Sequence, residues 1–277
     1  MIKSPLNYIG GKYRLLPQLL PLFPSEIGTF IDLFAGGLDV ALNVNARHIV
    51  CNDINHYVTG LFEYLRGTDI EHIVGEVNRT IARYGLSKEN TEGYYALRSD
   101  YNRTHSPLLL FLLICFGFNH QVRFNARGEF NNPFGRARSS YNERTEHHLR
   151  QTHRRLQQIE LRTGNFRDFS TDVLVPGDFV YADPPYLISC GSYNDGKRGF
   201  EGWTATDDKH LFGLLDNLDR RGIRFALSNV LHHKGAVNEP LVQWADHYHI
   251  HRLRASYANS NYQARASETE EVLITNY

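Results

Sequence analysis

Hydrophobic residues in the first part of the chain form short runs that end in turn residues. The run Thr29–Phe34 (TFIDLF) is followed by Ala35-Gly36-Gly37, and Arg47–Ile54 (RHIVCNDI) is a second run containing an acid near its end. Between the two runs, Leu38–Asn45 has a sequence compatible with a helix. Short apolar runs bounded by glycine and separated by a helical stretch predict a β-α-β unit.

The second half of the chain shows the same alternation. The run Asp178–Tyr181 precedes a proline pair, Thr206–Arg221 has a helical pattern, and Ile223–Val230 is strongly apolar. Two final runs, His247–Tyr257 and Glu271–Tyr277, predict an antiparallel hairpin at an edge of the sheet. The fold class predicted from this order is α/β with a Rossmann-like sheet.

A segment of different character separates these two parts. Val58–Tyr101 is helical in pattern, and the very apolar Ser106–Phe116 predicts a buried helix, since it is too short to span a membrane. Phe118–Arg138 is polar and predicts a loop or hairpin outside the core. The predicted division is a catalytic domain and an inserted module, covering 1–57 with 161–277, and 58–160.

Composition narrows the class of protein without naming a function. Hydrophobic residues make up 42% of the chain, which predicts an ordinary globular core. Lys+Arg and Asp+Glu both number 30, so a protein coated in positive charge is disfavoured, while a local basic groove stays possible. The three cysteines match neither a disulfide framework nor a zinc site. Without a recognisable leader or membrane span, we expect a cytoplasmic protein.

The tetrapeptide Asp183-Pro184-Pro185-Tyr186 carries the strongest chemical signal. Two prolines cannot continue a sheet ladder, so they end the preceding strand and stiffen the backbone at its carboxyl edge. Asp183 and the Pro184 carbonyl can accept both hydrogens of a planar aromatic amine while Tyr186 stacks on its ring. A turn that begins with a capping aspartate is the alternative, but it leaves the aromatic residue unexplained.

Two weaker motifs indicate a nucleoside-containing ligand. The glycine turn at Asp32–Gly37 allows close approach to the backbone, and Asp53 can accept hydrogen bonds from a ribose diol. An ordinary tight turn explains the same glycines, because the dinucleotide-binding fingerprint is incomplete. In Tyr8–Lys12, Lys12 can contact a carboxylate or a phosphate, although a solvated surface lysine is the default interpretation.

The polar segment between the helices has the composition of a nucleic-acid contact. Arginine can read guanine or hold phosphates, and a projecting aromatic ring can enter a base stack. A solvated surface hairpin is the alternative. The arginines and phenylalanines alternate closely in sequence: Arg123, Arg127, Arg136 and Arg138, with Phe118, Phe124, Phe130 and Phe134.

In this order, the motifs resemble those of the Dam-type DNA adenine methyltransferases of enteric bacteria and T-even phages, members of the D12 class. The resemblance rests on Tyr8–Lys12, Phe30–Gly37, Asn52-Asp53, Asp183–Tyr186 and the phrase from Arg123 to Gly135. It implies a methyltransferase sheet with an inserted, mainly helical DNA-recognition domain carrying a β-hairpin. The implied reaction moves a methyl group from S-adenosyl-L-methionine to N6 of a flipped adenine, within GATC, leaving S-adenosyl-L-homocysteine.

The resemblance also implies residue roles, matched position by position. The catalytic residues are Asp183, Pro184, Pro185 and Tyr186. The cofactor-binding residues are Tyr8, Lys12, Phe34, Gly36, Asp53, Phe166 and Asp183. The DNA-binding residues are Phe118, the wedge, and Arg123, the reader of guanine, together with Asn119, Gln121, Pro133, Arg136 and Arg138. Double-stranded DNA is the expected partner, with no metal, no membrane and no obligate protein partner.

Some positions depart from the family pattern. Asn7 replaces a base-contacting lysine of the enteric enzymes, Gln121 replaces an apolar residue, and Ala137 replaces an arginine of the phage enzymes, so the target sequence stays open. Three alternatives remain: an RNA or protein-glutamine methyltransferase, a DNA-binding protein that has lost the chemistry, and a nicotinamide-dependent oxidoreductase. Asp183, which is Asn in the glutamine enzymes, and the incomplete glycine fingerprint disfavour the first and third.

Overall fold

The computed structural model of the chain describes residues 1–188, 202–254 and 269–277. The helices are α1 Leu16–Leu19, α2 His56–Gly67, α3 Ile70–Tyr84, α4 Thr91–Thr104, α5 Pro107–Phe116, α6 Glu143–Leu156, α7 Ala205–Arg220 and α8 Glu239–Ala245. The strands are β1 Thr29–Asp32, β2 His48–Asp53, β3 Ile159–Thr163, β4 Phe179–Ala182, β5 Arg224–His233, β6 Ala236–Val237, β7 His249–Leu253 and β8 Thr269–Thr275.

Within the described residues, the strands form one sheet in the order β3-β2-β1-β4-β5-β8-β7, with β6 paired to the end of β5. The first five strands of this order are parallel, and β8 and β7 pair antiparallel to their neighbours. The chain changes direction along the sheet between β1 and β4. In open α/β sheets such a switch point leaves a crevice at the carboxyl ends of the strands, where ligands bind. This is the predicted Rossmann-like arrangement.

Alternating side chains bury both faces of the sheet. Phe30, Phe179 and Tyr181 point into one hydrophobic cluster, which also contains residues of α2 and α5. Ile31 and Val180, their neighbours along the strands, point into a second cluster with α7 and α8. The result is a three-layer α/β/α architecture that explains why these strands are almost continuously apolar.

Most elements predicted from the sequence are confirmed, including the helices between residues 58 and 116 and the antiparallel edge pair β7 and β8. The end of the predicted strand, residues 255–257, lies outside the described residues. The helix predicted for Leu38–Asn45 is wrong, since this connection consists of turns. Leu38 has φ +65°, and a left-handed residue cannot continue a right-handed helix.

The segment 118–138 is a loop held by isolated antiparallel bridges, Gly117 with Phe134 and Phe124 with Phe130. The expectation that it lies wholly outside the core is wrong. Phe124 and Phe130 are 2% and 1% exposed, and the Phe124 ring stacks 4.3 Å from that of Tyr57. Two inward rings therefore anchor a loop whose arginines Arg123, Arg127, Arg136 and Arg138 are exposed.

The predicted division into two domains stays a prediction. β3 begins at Ile159, two residues before the expected boundary, and one hydrophobic cluster contains both Phe30 of the sheet and Phe111 of α5. The sheet and the helices of the predicted insert thus share a core. No helix in the described ranges has the length and hydrophobicity needed to cross a bilayer.

Candidate active site

Three aspartates mark one edge of the sheet, where neighbouring parallel strands end. Asp32 is the last residue of β1, Asp53 is the last residue of β2, and Asp183 directly follows β4. Because β1 lies between β2 and β4, these residues border the switch-point crevice. The topology therefore brings together the motifs that the sequence places 150 residues apart.

Asp183 is held by two groups at this edge. Lys12 Nζ lies 2.7 Å from Asp183 Oδ2, and the Tyr186 hydroxyl donates a hydrogen bond of 2.9 Å to Asp183 Oδ1. The same ammonium also donates to the Gly10 carbonyl at 3.0 Å and lies 5.2 Å from the centroid of the Tyr186 ring. Lys12 is only 6% exposed, so the solvated-lysine alternative is excluded.

Burial and ion pairing have opposite effects on the pKa values of Lys12 and Asp183. Burial lowers the pKa of Lys12, but the charge of Asp183 overcomes this effect and the pKa is raised. Burial raises the pKa of Asp183, while the Lys12 charge and the Tyr186 hydrogen bond oppose that rise. Lys12 therefore stays charged and favours the ionised form of Asp183 in a site that would otherwise favour the neutral acid.

The glycine turn after β1 is shaped by Asp53 and Tyr8. The Gly36 and Asn55 amides each donate a hydrogen bond of 2.8 Å to the Asp53 carboxylate. Gly36 has φ +47°, and a Cβ at this position would lie 2.9 Å from Tyr8 Cδ1. Only glycine combines this backbone with so close a ring. Burial raises the pKa of Asp53, and the two backbone amides oppose the rise.

Three aromatic rings pack against one another beside this turn. Phe34 lies 5.2 Å from Phe166 between ring centroids, and Trp203 lies 5.5 Å from Phe34 and 5.4 Å from Phe166. The Trp203 indole donates a hydrogen bond of 2.7 Å to Asp208 Oδ1, which fixes its orientation. Sequence analysis missed Trp203, because no motif marks it. The one local signal for Trp203 is its position directly before the residue that caps a helix.

Asp32 supplies a buried and unsatisfied polar atom at the same edge. Its side chain is 2% exposed, and its Oδ1 has no hydrogen-bond partner. Burial, reinforced by the charges of Asp183 and Asp53, raises its pKa well above the ordinary value. An acidic crevice with a glycine cradle, an aromatic cluster and one buried lysine fits a ligand that combines a purine, a ribose and a cationic group.

Asp39 supports the N-terminal segment and gives a pH-dependent prediction. Its Oδ2 accepts a hydrogen bond from the Tyr13 amide at 3.3 Å, and burial raises its pKa to about 6. The folded state then binds this proton more tightly than the unfolded state, so stability falls as pH rises from about 4 to about 6. In Asp39→Asn, the free energy of unfolding should fall over this pH range by up to about 3 kcal/mol less than in wild type.

Urea unfolding between pH 4 and pH 8 measures this effect. The exposed Asp246, changed to Asn, is the matched control and should leave the wild-type pH dependence intact. The same decline in wild type and Asp39→Asn would exclude a raised pKa at this position.

The loop residues expected to contact DNA lie at the surface. Phe118 is 40% exposed, Gln121 is half-buried, and the remaining members of the set are exposed: Asn119, Arg123, Pro133, Arg136 and Arg138. The Phe118 amide donates to the Pro133 carbonyl at 2.7 Å. Asn132 Nδ2 donates to the Phe118 carbonyl at 3.0 Å. Hydrogen bonds at its amide and at its carbonyl therefore fix the backbone of Phe118, whose ring is exposed.

The tip beyond Phe118 is strained. Asn119 and His120 have φ +51° and +55°, and consecutive non-glycine residues with left-handed backbones are uncommon outside functional loops. Arg136 pairs with Glu89 at 3.6 Å on the exposed flank. The structure thus gathers the predicted DNA contacts on one loop, separate from the crevice residues.

Comparison with known protein families identifies the family of this chain. The family of D12 class N6 adenine-specific DNA methyltransferases matches residues 8–259, which include both the crevice and the loop 118–138, which we call the recognition loop. The chain belongs to this family. Among the residues that the structure describes, no group of histidine, cysteine, aspartate or glutamate side chains is arranged to hold a metal ion.

The chain is similar to a Type II methyltransferase and to a modification methylase. It is 48% identical to the Type II methyltransferase M.FokI of Planomicrobium okeanokoites and 45% identical to the Modification methylase StsI of Streptococcus sanguinis. Each alignment covers 100% of this chain but 43% of the relative, so the chain spans less than half of their length.

The DNA adenine methylase of Salmonella typhi is more distant, with 27% identity over 92% of this chain and 89% of the relative. The predicted Dam-type resemblance is therefore confirmed at the level of the D12 class. The finer expectation, a Dam enzyme specific for GATC, does not follow from a similarity of this size.

Proposed function

We propose that this chain transfers a methyl group from S-adenosylmethionine to the N6 amino group of an adenine in duplex DNA. The observation that carries this proposal is the Lys12–Asp183–Tyr186 constellation, placed by two prolines at the switch-point crevice. A carboxylate, a rigid carbonyl and an aromatic ring together match an aromatic amine. The neighbouring acidic and aromatic crevice matches the methyl donor.

The donor site is proposed from residues that already form a cradle. Phe34, Phe166 and Trp203 would hold the adenine of the donor, Asp53 its ribose, and Lys12 its carboxylate. When bound, S-adenosylmethionine supplies an electrophilic methyl group on a positively charged sulfur. A cation bound in this crevice would favour the ionised forms of the surrounding aspartates, whose pKa values burial raises, because opposite charges attract strongly where water is excluded.

The target base must leave the helix before it can enter such a site, at a cost of roughly a few kcal/mol. Tyr186 would stack on the extruded adenine. Asp183 and the Pro184 carbonyl would accept its amino hydrogens, which aims the nitrogen lone pair at the methyl carbon. Asp183 also stabilises the positive charge that develops on that nitrogen.

No cysteine nucleophile enters this chemistry, because the amino nitrogen attacks directly. Cys51 and Cys115 are buried, and burial raises the pKa of both thiols, so the reactive thiolate form is disfavoured. Cys190 lies outside the described residues. Catalysis is then chiefly positioning and electrostatics.

Binding of the donor is testable through tryptophan fluorescence. The chain has two tryptophans, Trp203, which packs on Phe34 beside the glycine turn, and Trp244, which stacks on Phe212 of α7. S-adenosylhomocysteine should change the emission of wild type and Trp244→Phe, but not of Trp203→Phe. If S-adenosylhomocysteine changes the emission of Trp203→Phe as much as that of wild type, Trp203 is not part of the donor site.

We propose that the recognition loop supplies sequence specificity, with Phe118 as wedge and Arg123 as reader of a guanine. The Dam-type resemblance predicts GATC as the target, while Asn7, Gln121 and Ala137 depart from the family pattern. The modification methylases among the relatives support a role in restriction-modification.

Arg123→Ala should lose about 1–3 kcal/mol of discrimination at one guanine of the site. Arg127, exposed on the same loop, is the matched control. Its change to alanine should weaken binding to all sequences equally, without changing base preference. Methylation rates on duplexes substituted one base pair at a time separate the two outcomes. An equal loss on every sequence for Arg123→Ala would make it a phosphate contact.

Single-molecule sequencing of DNA from a methylation-free host that expresses this chain tests the proposed function. The expected result is N6-methyladenine at one short sequence. Unmodified DNA together with measurable duplex binding would instead favour a protein that has lost the chemistry. Labelled methyl groups found only in RNA or protein would instead favour an RNA or protein-glutamine methyltransferase.

A further inference from the structure

A short N-terminal segment connects the parts of this molecule that must act together. We call Asn7–Lys12 the strap. It lies between the recognition loop on one side and the crevice on the other, and its six residues contact both. A chain segment this short has few dihedral angles in which to absorb a displacement.

Asn7, the first residue of the strap, is hydrogen-bonded to the tip of the recognition loop. Asn7 Nδ2 donates a hydrogen bond of 2.9 Å to the carbonyl oxygen of Asn119. Asn119 directly follows the exposed Phe118 and is the first of the two left-handed residues. The bond therefore acts on a strained backbone next to the projecting ring.

At its other residues, the strap is bonded to the crevice. Tyr8 lies against the glycine turn, where a Cβ placed on Gly36 would come within 2.9 Å of its ring and a Cβ placed on Gly37 within 2.9 Å of its Cβ. The Gly11 amide donates to the Tyr8 carbonyl at 3.0 Å. Lys12 then bridges the Gly10 carbonyl and Asp183.

We propose that Asn7 is a positioning residue that couples occupancy of the donor site to placement of the Phe118 wedge. This inference rests on the proposed function of the crevice. A donor carboxylate competes with Asp183 for Lys12, and a donor beside the glycine turn confines Tyr8. Both effects favour one position of the strap, which the Asn7–Asn119 bond transmits to the loop. By linkage, DNA seated on the wedge strengthens donor binding by the same factor.

The coupling is measured as the ratio of duplex affinities with and without S-adenosylhomocysteine. The duplex carries the sequence that the wild-type chain methylates in cells. Wild type should bind it about fivefold more tightly with S-adenosylhomocysteine present, at the lower end of typical couplings. In Asn7→Asp, a carboxylate replaces the donating amide, and the ratio should fall to about one, since a lost hydrogen bond removes a factor of this size.

Two further variants separate coupling from charge and from general stability. Asn7→Ala removes the bond without adding charge, and its ratio should also fall to about one. Gln157→Glu makes the same amide-to-carboxylate change at an exposed bond of 3.0 Å to the Arg66 carbonyl, and its ratio should match wild type. Because the readout is a ratio, a uniform loss of DNA affinity leaves it unchanged.

A ratio near the wild-type value in both Asn7 variants, or no coupling in wild type, would overturn the inference. The proposed function fails differently, since a chain that methylates no DNA in cells would fail before any ratio is measured. Asn7→Ala gives the answer even if Asn7→Asp does not fold.

Discussion

Replacing Asp183 by alanine is expected to lower the rate of methyl transfer to DNA by at least about a thousandfold. The carboxylate that orients the amino group and stabilises its developing charge is then missing. DNA binding should survive, because the recognition loop is separate from the crevice. Single-turnover rates with saturating donor and duplex, beside duplex binding by anisotropy, measure both properties.

Asp183→Ala also leaves Lys12 buried without its counter-ion, which in comparable pairs costs about 3–5 kcal/mol of stability. Asp183→Asn is therefore the second variant, since its amide oxygen can still accept from Lys12. It should be folded and nearly inactive. Asp246→Asn, at an exposed aspartate, should have wild-type activity. Turnover close to wild type in folded Asp183→Asn would remove Asp183 from the catalytic role.

Replacing Lys12 by methionine is expected to produce the second largest effect. Removing a cation 2.7 Å from Asp183 leaves burial opposed by the Tyr186 hydrogen bond but by no neighbouring positive charge from Lys12, so the pKa of Asp183 should rise further. The acid limb of the pH profile of kcat/KM should move to higher pH. The KM for S-adenosylmethionine should rise by at least about tenfold, because a charged contact to the donor is lost.

Lys12→Arg keeps the positive charge and is the matched control. Its acid limb should remain near that of wild type, although the larger group is expected to bind the donor less well. A profile for Lys12→Met that overlies wild type would mean that Lys12 does not govern the protonation of Asp183. A shift in both variants would point to packing instead of charge.

The strands and the catalytic motif were accessible from sequence because both depend on local patterns. The almost continuous apolar runs of β1 and β4 follow from burial of both sheet faces, and a proline pair ends a central strand. Once β1 and β4 are neighbours, Asp32 and Asp183 must border one crevice. The order of the motifs therefore predicted the place of the site.

Features that depend on contacts distant in sequence were not accessible. Nothing local in Lys12 indicates that it is buried against a carboxylate 171 residues away. The same holds for Trp203, which joins Phe34 and Phe166 only after the sheet forms. Phe124 and Phe130 look like surface aromatics in a polar segment, yet they anchor it. The helix predicted to begin at Leu38 was wrong because this residue directly follows the glycine turn and has a left-handed backbone.

The central claim is that Asp183–Tyr186 presents the amino group of an extruded adenine to a methyl donor. The most direct measurement uses S-adenosylmethionine with a deuterated methyl group, duplex DNA, and mass spectrometry of the digested nucleosides. The account predicts label on N6 of adenine with wild type and none with Asp183→Asn. Label on cytosine, or equal label on adenine with both proteins, would contradict it.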